Sequence, residues 1–263
     1  MSIADLMPLA LHGLAASAAL ALGTWALSLM LRDVSIVDSA WSLLILAAAS
    51  VYAAAATGIG ARGVVVLALT TAWSLRLFAH ITHRNWGEPE DRRYRAIRER
   101  NQPGFAWKSL YLVFGLQAVL AWVVSLPLLA GMTAAPRLQF ADAIGIGLAL
   151  FGLLFEAIGD WQLTRFTADA ANRGRVMDGG LWRYTRHPNY FGECCLWWGV
   201  YLLALPAGGW WTIVSPLLLT VLLLKVSGVA LLEKDIAGRR PAYRDYAART
   251  NAFFPGMQRG ERP

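Results

Sequence analysis

The residues best equipped for chemistry lie in one run, Trp182-Arg-Tyr-Thr-Arg-His-Pro-Asn-Tyr-Phe-Gly-Glu193. Tyr184, Arg186, His187, Asn189 and Tyr190 crowd into seven residues, more polar capacity than a plain connection needs. Proline at 188 disfavours helix at His187 and suits the first turn of a following helix. The run therefore reads as an ordered loop feeding a helix N-terminus, where unpaired backbone N–H groups favour an anion. Other ionisable groups interrupt apolar stretches: Asp38, Arg76, His80, Glu156, Asp160, Glu193 and Lys225. Arg76, His80 and His83 recur at i, i+4 and i+7 and so share one face of a helix. Glu156 and Asp160 are likewise one turn apart, and Asp160 stands where its helix would enter a basic loop, able to accept hydrogen bonds from a ligand there. Asp38 opens a second apolar stretch in Ser35-Ile-Val-Asp-Ser-Ala-Trp41. A half-buried carboxylate there could hand a proton to a carbonyl, or fix a phenol or imidazole that does. The plainer readings are a carboxylate favoured by the helix dipole at Asp38 and pairs that orient helices, such as Glu193 with Lys225 or an Arg.

The basic residues gather in three segments. They are 83–108 (Arg84, Arg92, Arg93, Arg95, Arg98, Arg100, Lys108), 163–188 (Arg165, Arg173, Arg175, Arg183, Arg186) and the tail (Lys234, Arg239, Arg240, Arg244, Arg249, Arg259, Arg262). Orientation in a membrane and contact with anionic lipid heads explain such loops in part. Their interleaving with Tyr, Trp, Asn and His also suits a phosphate-bearing cofactor with aromatic rings, since guanidinium forks bind phosphate and flat side chains stack on a base. The charges are split among loops and form no single stripe, which argues against nucleic acid. Cys194 and Cys195 are adjacent and offer no metal-ligand spacing, so neither a disulfide between them nor a metal site is expected. No Gly-x-Gly-x-x-Gly turn is present, which excludes a soluble-type dinucleotide domain.

The elements that must position these residues follow from composition. With 57% hydrophobic and 16% charged residues over 263 positions and a mean hydropathy of +0.44, the chain carries more apolar surface than a soluble domain could bury. A helix crossing the hydrocarbon needs roughly 20 apolar residues. Seven stretches qualify, at Leu9–Leu31, Ser35–Ala56, Gly63–Ile81, Leu110–Met132, Ala141–Trp161, Tyr190–Leu205 and Trp211–Leu232, the sixth being the shortest. The expected fold is thus an all-α integral membrane bundle of seven transmembrane helices. The first apolar run has no basic residue ahead of it and is longer than a signal-peptide core, so it reads as a true span. Only Arg62 and Arg137 fall in the loops facing away from the basic segments. By the positive-inside rule the N-terminus lies outside and the C-terminus in the cytoplasm. No linker, low-complexity tract or repeat divides the chain, so a single domain over 1–263 is expected. Its loops 83–108 and 163–188 and tail 233–263 would form the cofactor site.

The string Arg186-His-Pro-Asn-Tyr-Phe-Gly-Glu193, preceded by Gly179-Gly-Leu-Trp-Arg-Tyr184 and followed by Tyr243-Arg-Asp-Tyr246 and Phe253-Phe-Pro255, resembles the C-terminal signature of the membrane steroid 5α-reductase family. Sterol reductases and isoprenylcysteine carboxyl methyltransferases share a looser form. Ser35-Ile-Val-Asp38, His83-Arg-Asn-Trp-Gly87 and Glu90-Asp-Arg-Arg-Tyr94 resemble the bacterial branch of steroid-5α-reductase-like proteins, so the similarity runs from about Ser35 to Pro255. The resemblance implies NADPH-dependent reduction of the double bond conjugated to the ketone in a 3-oxo-Δ4 steroid or similar lipid enone. The substrate would enter from the bilayer, and the active site would face the cytoplasm, in a bacterium at the inner membrane. It places Arg84, Asn85, Asp160, Tyr184, His187, Asn189 and Glu193 at the cofactor, with Tyr243, Arg244 and Tyr246 covering it from the tail. Tyr94, Arg165, Arg175, Arg186 and Tyr190, from the same basic and aromatic segments, complete the expected set. In the animal enzymes a Glu on span two and a Tyr on span three grip the steroid carbonyl. This chain offers Asp38, and near the corresponding part of span three Ile81 with His80 and His83. Asp38 with His80 or His83 is therefore the expected acid pair. The alternatives are a membrane methyltransferase using S-adenosylmethionine, supported by the Arg-His-Pro signature and Glu233, and a non-catalytic lipid-binding or transport protein. A basic pocket built for a 2′-phosphate argues against the first.

Overall fold

The computed structural model describes residues 3–56, 58–133, 137–226, 229, 233 and 242–259, so parts of the expected last span and tail lie outside the described residues. Every regular element among the described residues is helical. In chain order these are α1 (Ile3–Leu31), α2 (Ile36–Ala55), α3 (Ala61–Asn85), α4 (Arg92–Arg100), α5 (Phe105–Thr133), α6 (Phe140–Ala168), α7 (Pro188–Ala204), α8 (Gly209–Val226) and α9 (Ala242–Arg249). Six of them, α1, α2, α3, α5, α6 and α8, are long and apolar enough to cross a membrane. The sixth apolar stretch of the sequence forms α7, which at 17 residues is shorter than a usual span. Helices overrun the expected boundaries where charge helps them: α3 runs on to Asn85 with His83 and Arg84 in its last turn, where cations suit the helix dipole.

The chain groups into two compact units, residues 1–142 with 203–215, and residues 143–202 with 216–263. The boundaries cut through helices and not through linkers, which is why composition gave no sign of them.

In the first unit α2 packs against α1, α3 and α5. Its buried face, Val37, Ala40, Leu44, Ile45, Ala48, Ala49 and Tyr52, repeats with helical spacing, and its alanines admit close neighbours. Polar groups at this depth are satisfied by protein, as a dry interior demands. Ser42 Oγ donates to the Ser74 carbonyl at 2.9 Å while Ser74 Oγ donates to the Ser42 carbonyl at 2.7 Å, a reciprocal clasp of α2 and α3. Arg62 at the start of α3 makes a two-pronged pair with Asp142, its Nε 2.9 Å from Oδ1 and its Nη2 2.8 Å from Oδ2, with both side chains 1% exposed.

In the second unit α6 and α7 meet backbone to backbone. A Cβ on Gly192 would lie 2.5 Å from the Glu156 nitrogen and 2.6 Å from the Gly152 carbonyl, and one on Gly199 would lie 2.5 Å from the Ala149 nitrogen. The glycine of the Tyr-Phe-Gly-Glu193 string is thus explained by packing alone.

Candidate functional site

The motifs of the N-terminal half fold onto one another. Asp91 begins α4 as its N-cap, its carboxylate accepting from the Arg93 backbone N–H. Glu90 accepts from the Val34 backbone N–H at 2.9 Å and from Arg98 Nη2 at 2.7 Å, tying α4 to the α1–α2 turn. Arg98 also lies over the Phe105 ring, 4.8 Å from its centroid. Held this way, the first turn of α4 brings two side chains to Asp38. Arg93 Nη2 donates to Oδ2 at 2.7 Å, and the Tyr94 hydroxyl donates to Oδ1 at 2.6 Å.

The electrostatics follow from this geometry. Burial raises the Tyr94 phenol well above its ordinary value, and the charge of Asp38 and the hydrogen bond to it raise it further, so the phenol keeps its proton. Burial works against the charged Arg93, but Asp38 and Asp91 outweigh it and push the guanidinium up. Burial also opposes ionisation of Glu90, yet the bonds from Arg98 and the Val34 N–H overcome it and hold this carboxyl low. A carboxylate, a protonated phenol and a guanidinium in contact can orient a phenolic proton and balance the charge left when it departs.

His83 and Arg84 are exposed at the end of α3, with Arg84 Nε donating to Asn85 Oδ1 at 3.1 Å, and His80 is half-buried one turn earlier. Tyr94, one of the residues expected at the cofactor, donates to Asp38.

In the second unit the C-terminal signature closes around Glu233. Arg186 reaches it with Nε at 2.7 Å and Nη2 at 2.9 Å, and its Nη1 donates to the Ala247 and Thr250 carbonyls at 2.7 and 2.6 Å. His187 Nε2 lies 3.0 Å from Glu233 Oε1, and the Tyr243 hydroxyl donates to the same oxygen at 3.4 Å. Burial would raise Glu233, but the bonds from His187 and Arg186 outweigh it and hold this carboxyl down at about 2. Burial and the charge of Glu233 push the Tyr243 phenol up to about 12.

The tail straps this loop in place. The Arg186 N–H donates to the Asn251 carbonyl at 2.9 Å, the Gly256 N–H to Tyr184 at 3.0 Å, and Thr185 Oγ1 to Phe253 at 2.8 Å. Tyr246 donates to the Trp182 carbonyl, and Trp182 Nε1 donates to Gly159 on α6 at 3.0 Å. Phe191 meets Phe155, Phe253 and Phe254 edge-on, with centroids 5.5, 5.7 and 6.1 Å away.

These clusters absorb nearly all the motif residues, and residues 24–250, which carry both, match the family described as "Protein of unknown function (DUF1295)". The chain belongs to the DUF1295 family. It is also similar to an uncharacterized protein of Schizosaccharomyces pombe, 26% identical over 262 residues that cover 89% of this chain and 76% of the relative. No solved structure matches it.

In the second unit of the DUF1295 chain one buried polar atom of the motif has no hydrogen-bond partner among the described residues. Asn189, in the first turn of α7, has a buried Oδ1 that accepts no hydrogen bond among the described residues. It sits in the chain between His187 and Tyr190, whose rings stack 5.5 Å apart and nearly parallel. Asp160 and Glu193 are buried, while Arg165, Arg175 and Arg244 are exposed and Tyr184 is 45% exposed. Arg165 lies over the Trp161 ring at 5.1 Å. An amide oxygen left free suits an N–H donor, and exposed guanidinium groups suit phosphate. Arg186 is different, because four of its five N–H hydrogens already go to Glu233 and two carbonyls. Among the described residues no three His, Cys, Asp or Glu gather as metal ligands do.

Sequence reasoning did not single out Arg93 or the anchoring role of Glu233. Arg93 stands next to Tyr94 inside the Glu90-Asp-Arg-Arg-Tyr94 motif, and that adjacency was its one signal. Glu233 follows an apolar span by one residue, where an acid beside a basic tail invites a partner.

Proposed function

We propose that the chain is an NADPH-dependent membrane reductase of the conjugated double bond in 3-oxo-Δ4 steroids or similar lipid enones. DUF1295 includes steroid 5α-reductase-like proteins, which supports placing it within that group. In this reading α7 serves as a short seventh span, the N-terminus lies outside, and the basic loops and tail face the cytoplasm, in a bacterium at the inner membrane.

The observation that carries the reading is the contact of Tyr94 with Asp38 at 2.6 Å. It favours Tyr94 as the acid over the expected His80 or His83, because the Tyr94 hydroxyl already donates its proton to Asp38. NADPH, when bound, supplies a hydride to the β carbon of the enone. Tyr94 turns its proton from Asp38 to the ketone oxygen as negative charge develops there. Asp38 fixes the phenol, and Arg93 offsets the charge that remains. Taken by itself, the second unit would hold the cofactor through Asn189, whose free amide oxygen suits the nicotinamide carboxamide, with the exposed Arg165, Arg175 and Arg244 suiting its phosphates. Arg186 acts at one remove, by holding the loop that carries Asn189.

The Arg186–Glu233 pair also favours a second reading, a methyltransferase using S-adenosylmethionine, since Glu233 and the Arg-His-Pro signature support that resemblance. One experiment separates the two. Protein extracted in mild detergent and mixed with NADPH should retain it through gel filtration, shown by the absorbance and fluorescence of reduced nicotinamide, and Asn189→Leu should abolish retention while leaving thermal stability intact. Mass spectrometry of progesterone incubated with protein and NADPH should show a gain of two hydrogens. Retention of S-adenosylmethionine in place of NADPH would sink the reductase reading.

A further inference from the structure

Arg32 follows the last residue of α1 with φ +56°, and among the described residues it is the one residue other than glycine with a positive φ. An L side chain enters this left-handed region at a cost, and a helix end that needs it ordinarily carries glycine. The turn is a regular helix stop, closed by the Asp33 N–H on the Ser28 carbonyl at 3.2 Å. Glycine would make it without strain, so the turn alone gives no reason for an arginine. The Arg32 guanidinium is exposed and makes no hydrogen bond or ion pair among the described residues.

Its surroundings are those of a bilayer surface. Leu27, Leu29, Met30 and Leu31 end a helix long and apolar enough to cross a membrane, and all four are exposed, Met30 by 82%. Acyl chains lying along them would end level with Arg32. α4 stands at the same level, because it joins the end of α3 to the start of α5, both of spanning length. It is docked on this corner: Arg98 Nη2 reaches the Arg32 carbonyl at 3.5 Å, and Glu90 holds the Val34 N–H. One turn before Arg98 stands Arg95, exposed together with Arg92. Trp86 and Trp107, on either side of α4, are 80% and 69% exposed, and tryptophan favours the boundary between lipid and water. Of the nearby acids, Asp33 accepts from Ser35, Glu90 from Arg98 and Asp91 from Arg93. Against the exposed Glu88 and Glu99 stand the exposed Arg32, Arg84, Arg92, Arg95 and Arg100, so the corner is net positive.

We propose that the corner between the end of α1 and the exposed face of α4 binds the headgroup of an anionic phospholipid, held by the guanidinium groups of Arg32 and Arg95 while its acyl chains lie on the last turns of α1. A phosphodiester offers oxygens that guanidinium forks match, and a headgroup with no ammonium of its own keeps the negative charge. The bound headgroup offsets the conformational cost at Arg32. The proposal needs the membrane setting alone and is independent of the reductase reading. Because α4 also carries Arg93 and Tyr94 to Asp38, the lipid would give that helix a fixed seat at the bilayer surface.

The test uses full-length protein in detergent, titrated with phosphatidylglycerol or with phosphatidylcholine of the same acyl chains and read by native mass spectrometry. Wild type should bind phosphatidylglycerol the more tightly. Arg32→Gly and Arg95→Gln should each weaken that binding about fivefold, the scale of one basic residue at an anionic surface, and leave phosphatidylcholine unaffected. In detergent without lipid, Arg32→Gly should melt no lower than wild type, since glycine accepts the left-handed turn. Arg32→Asn, which also tolerates that conformation, should repeat the result. Equal binding of the two lipids overturns the proposal, and so does wild-type affinity for phosphatidylglycerol in Arg32→Gly. A lower melting temperature of Arg32→Gly without lipid would mean that the arginine serves the turn itself, which also overturns it. An equal loss in Arg173→Gln, an exposed arginine of the second unit, would show attraction to basic surface at large and no site. Displacement of the lipid by inorganic phosphate at matching concentration would show a site for the free anion and overturn the phospholipid assignment.

Discussion

Glu233 holds the signature loop and the tail helix together, and Glu233→Gln tests how much that contributes. Its carboxyl is held at about 2 against an ordinary 4.5. Two and a half pH units correspond to about 3 kcal/mol in favour of the charged form, at about 1.4 kcal/mol per unit. The side chain is 24% exposed, so solvent screening trims this to roughly 2–3 kcal/mol. The variant also leaves the 11%-exposed Arg186 guanidinium without its counter-charge, which acts in the same direction. For a chain of this size, thermal unfolding followed by tryptophan fluorescence should fall by roughly 5–10 °C at pH 7. The pH dependence has a definite sign. The folded value is depressed, so the stabilisation is complete above pH 4.5 and drains away as pH falls toward about 2. The gap in melting temperature between wild type and Glu233→Gln should therefore narrow steadily below pH 4.5, while carboxylates common to both proteins cancel in the difference. An equal melting temperature at pH 7, or a gap that stays constant down to pH 3, would refute the claim that the charge of Glu233 anchors the loop.

Two packing predictions accompany the one for Asn189. Gly192→Ala places a methyl group 2.5 Å from a backbone nitrogen of α6, so α6 and α7 must separate; we expect a loss of at least about 2 kcal/mol, read as a lower melting temperature and a smaller yield of monodisperse protein. Asp142→Asn leaves a 1%-exposed guanidinium without its charge partner and should cost about 3–5 kcal/mol, whereas the paired replacement Arg62→Met with Asp142→Leu should recover most of it in the same assay.

Much of the fold was legible because membrane helices announce themselves one at a time. A run of apolar residues fixes a span without reference to anything distant, and six stretches emerged as long helices close to their expected limits. The short α7 was visible too, as the weakest of the seven stretches. The division into two units was not, since it runs through helix interiors. Side-chain partners were the harder part. Spacing predicts which residues share a face, so Arg76, His80 and His83 could be grouped, but it is silent about contacts across the chain. Asp38 meets Arg93 and Tyr94, some 55 residues later, and only the docking of α4 makes that pairing. Arg186 illustrates the same limit: an arginine in a loop looks equally ready for a phosphate or for a carboxylate, and here Glu233 occupies it.

The strap formed by residues 246–256 has a consequence for biogenesis. The loop at 182–187 is emitted from the ribosome well before the segment that fastens it, so its final shape must wait until synthesis has passed Gly256. Nascent chains halted in the last apolar stretch would already have inserted most of their helices, yet would carry the Arg-His-Pro turn unfastened. Quality control that inspects loops outside the bilayer would find there a late and specific mark of an unfinished protein.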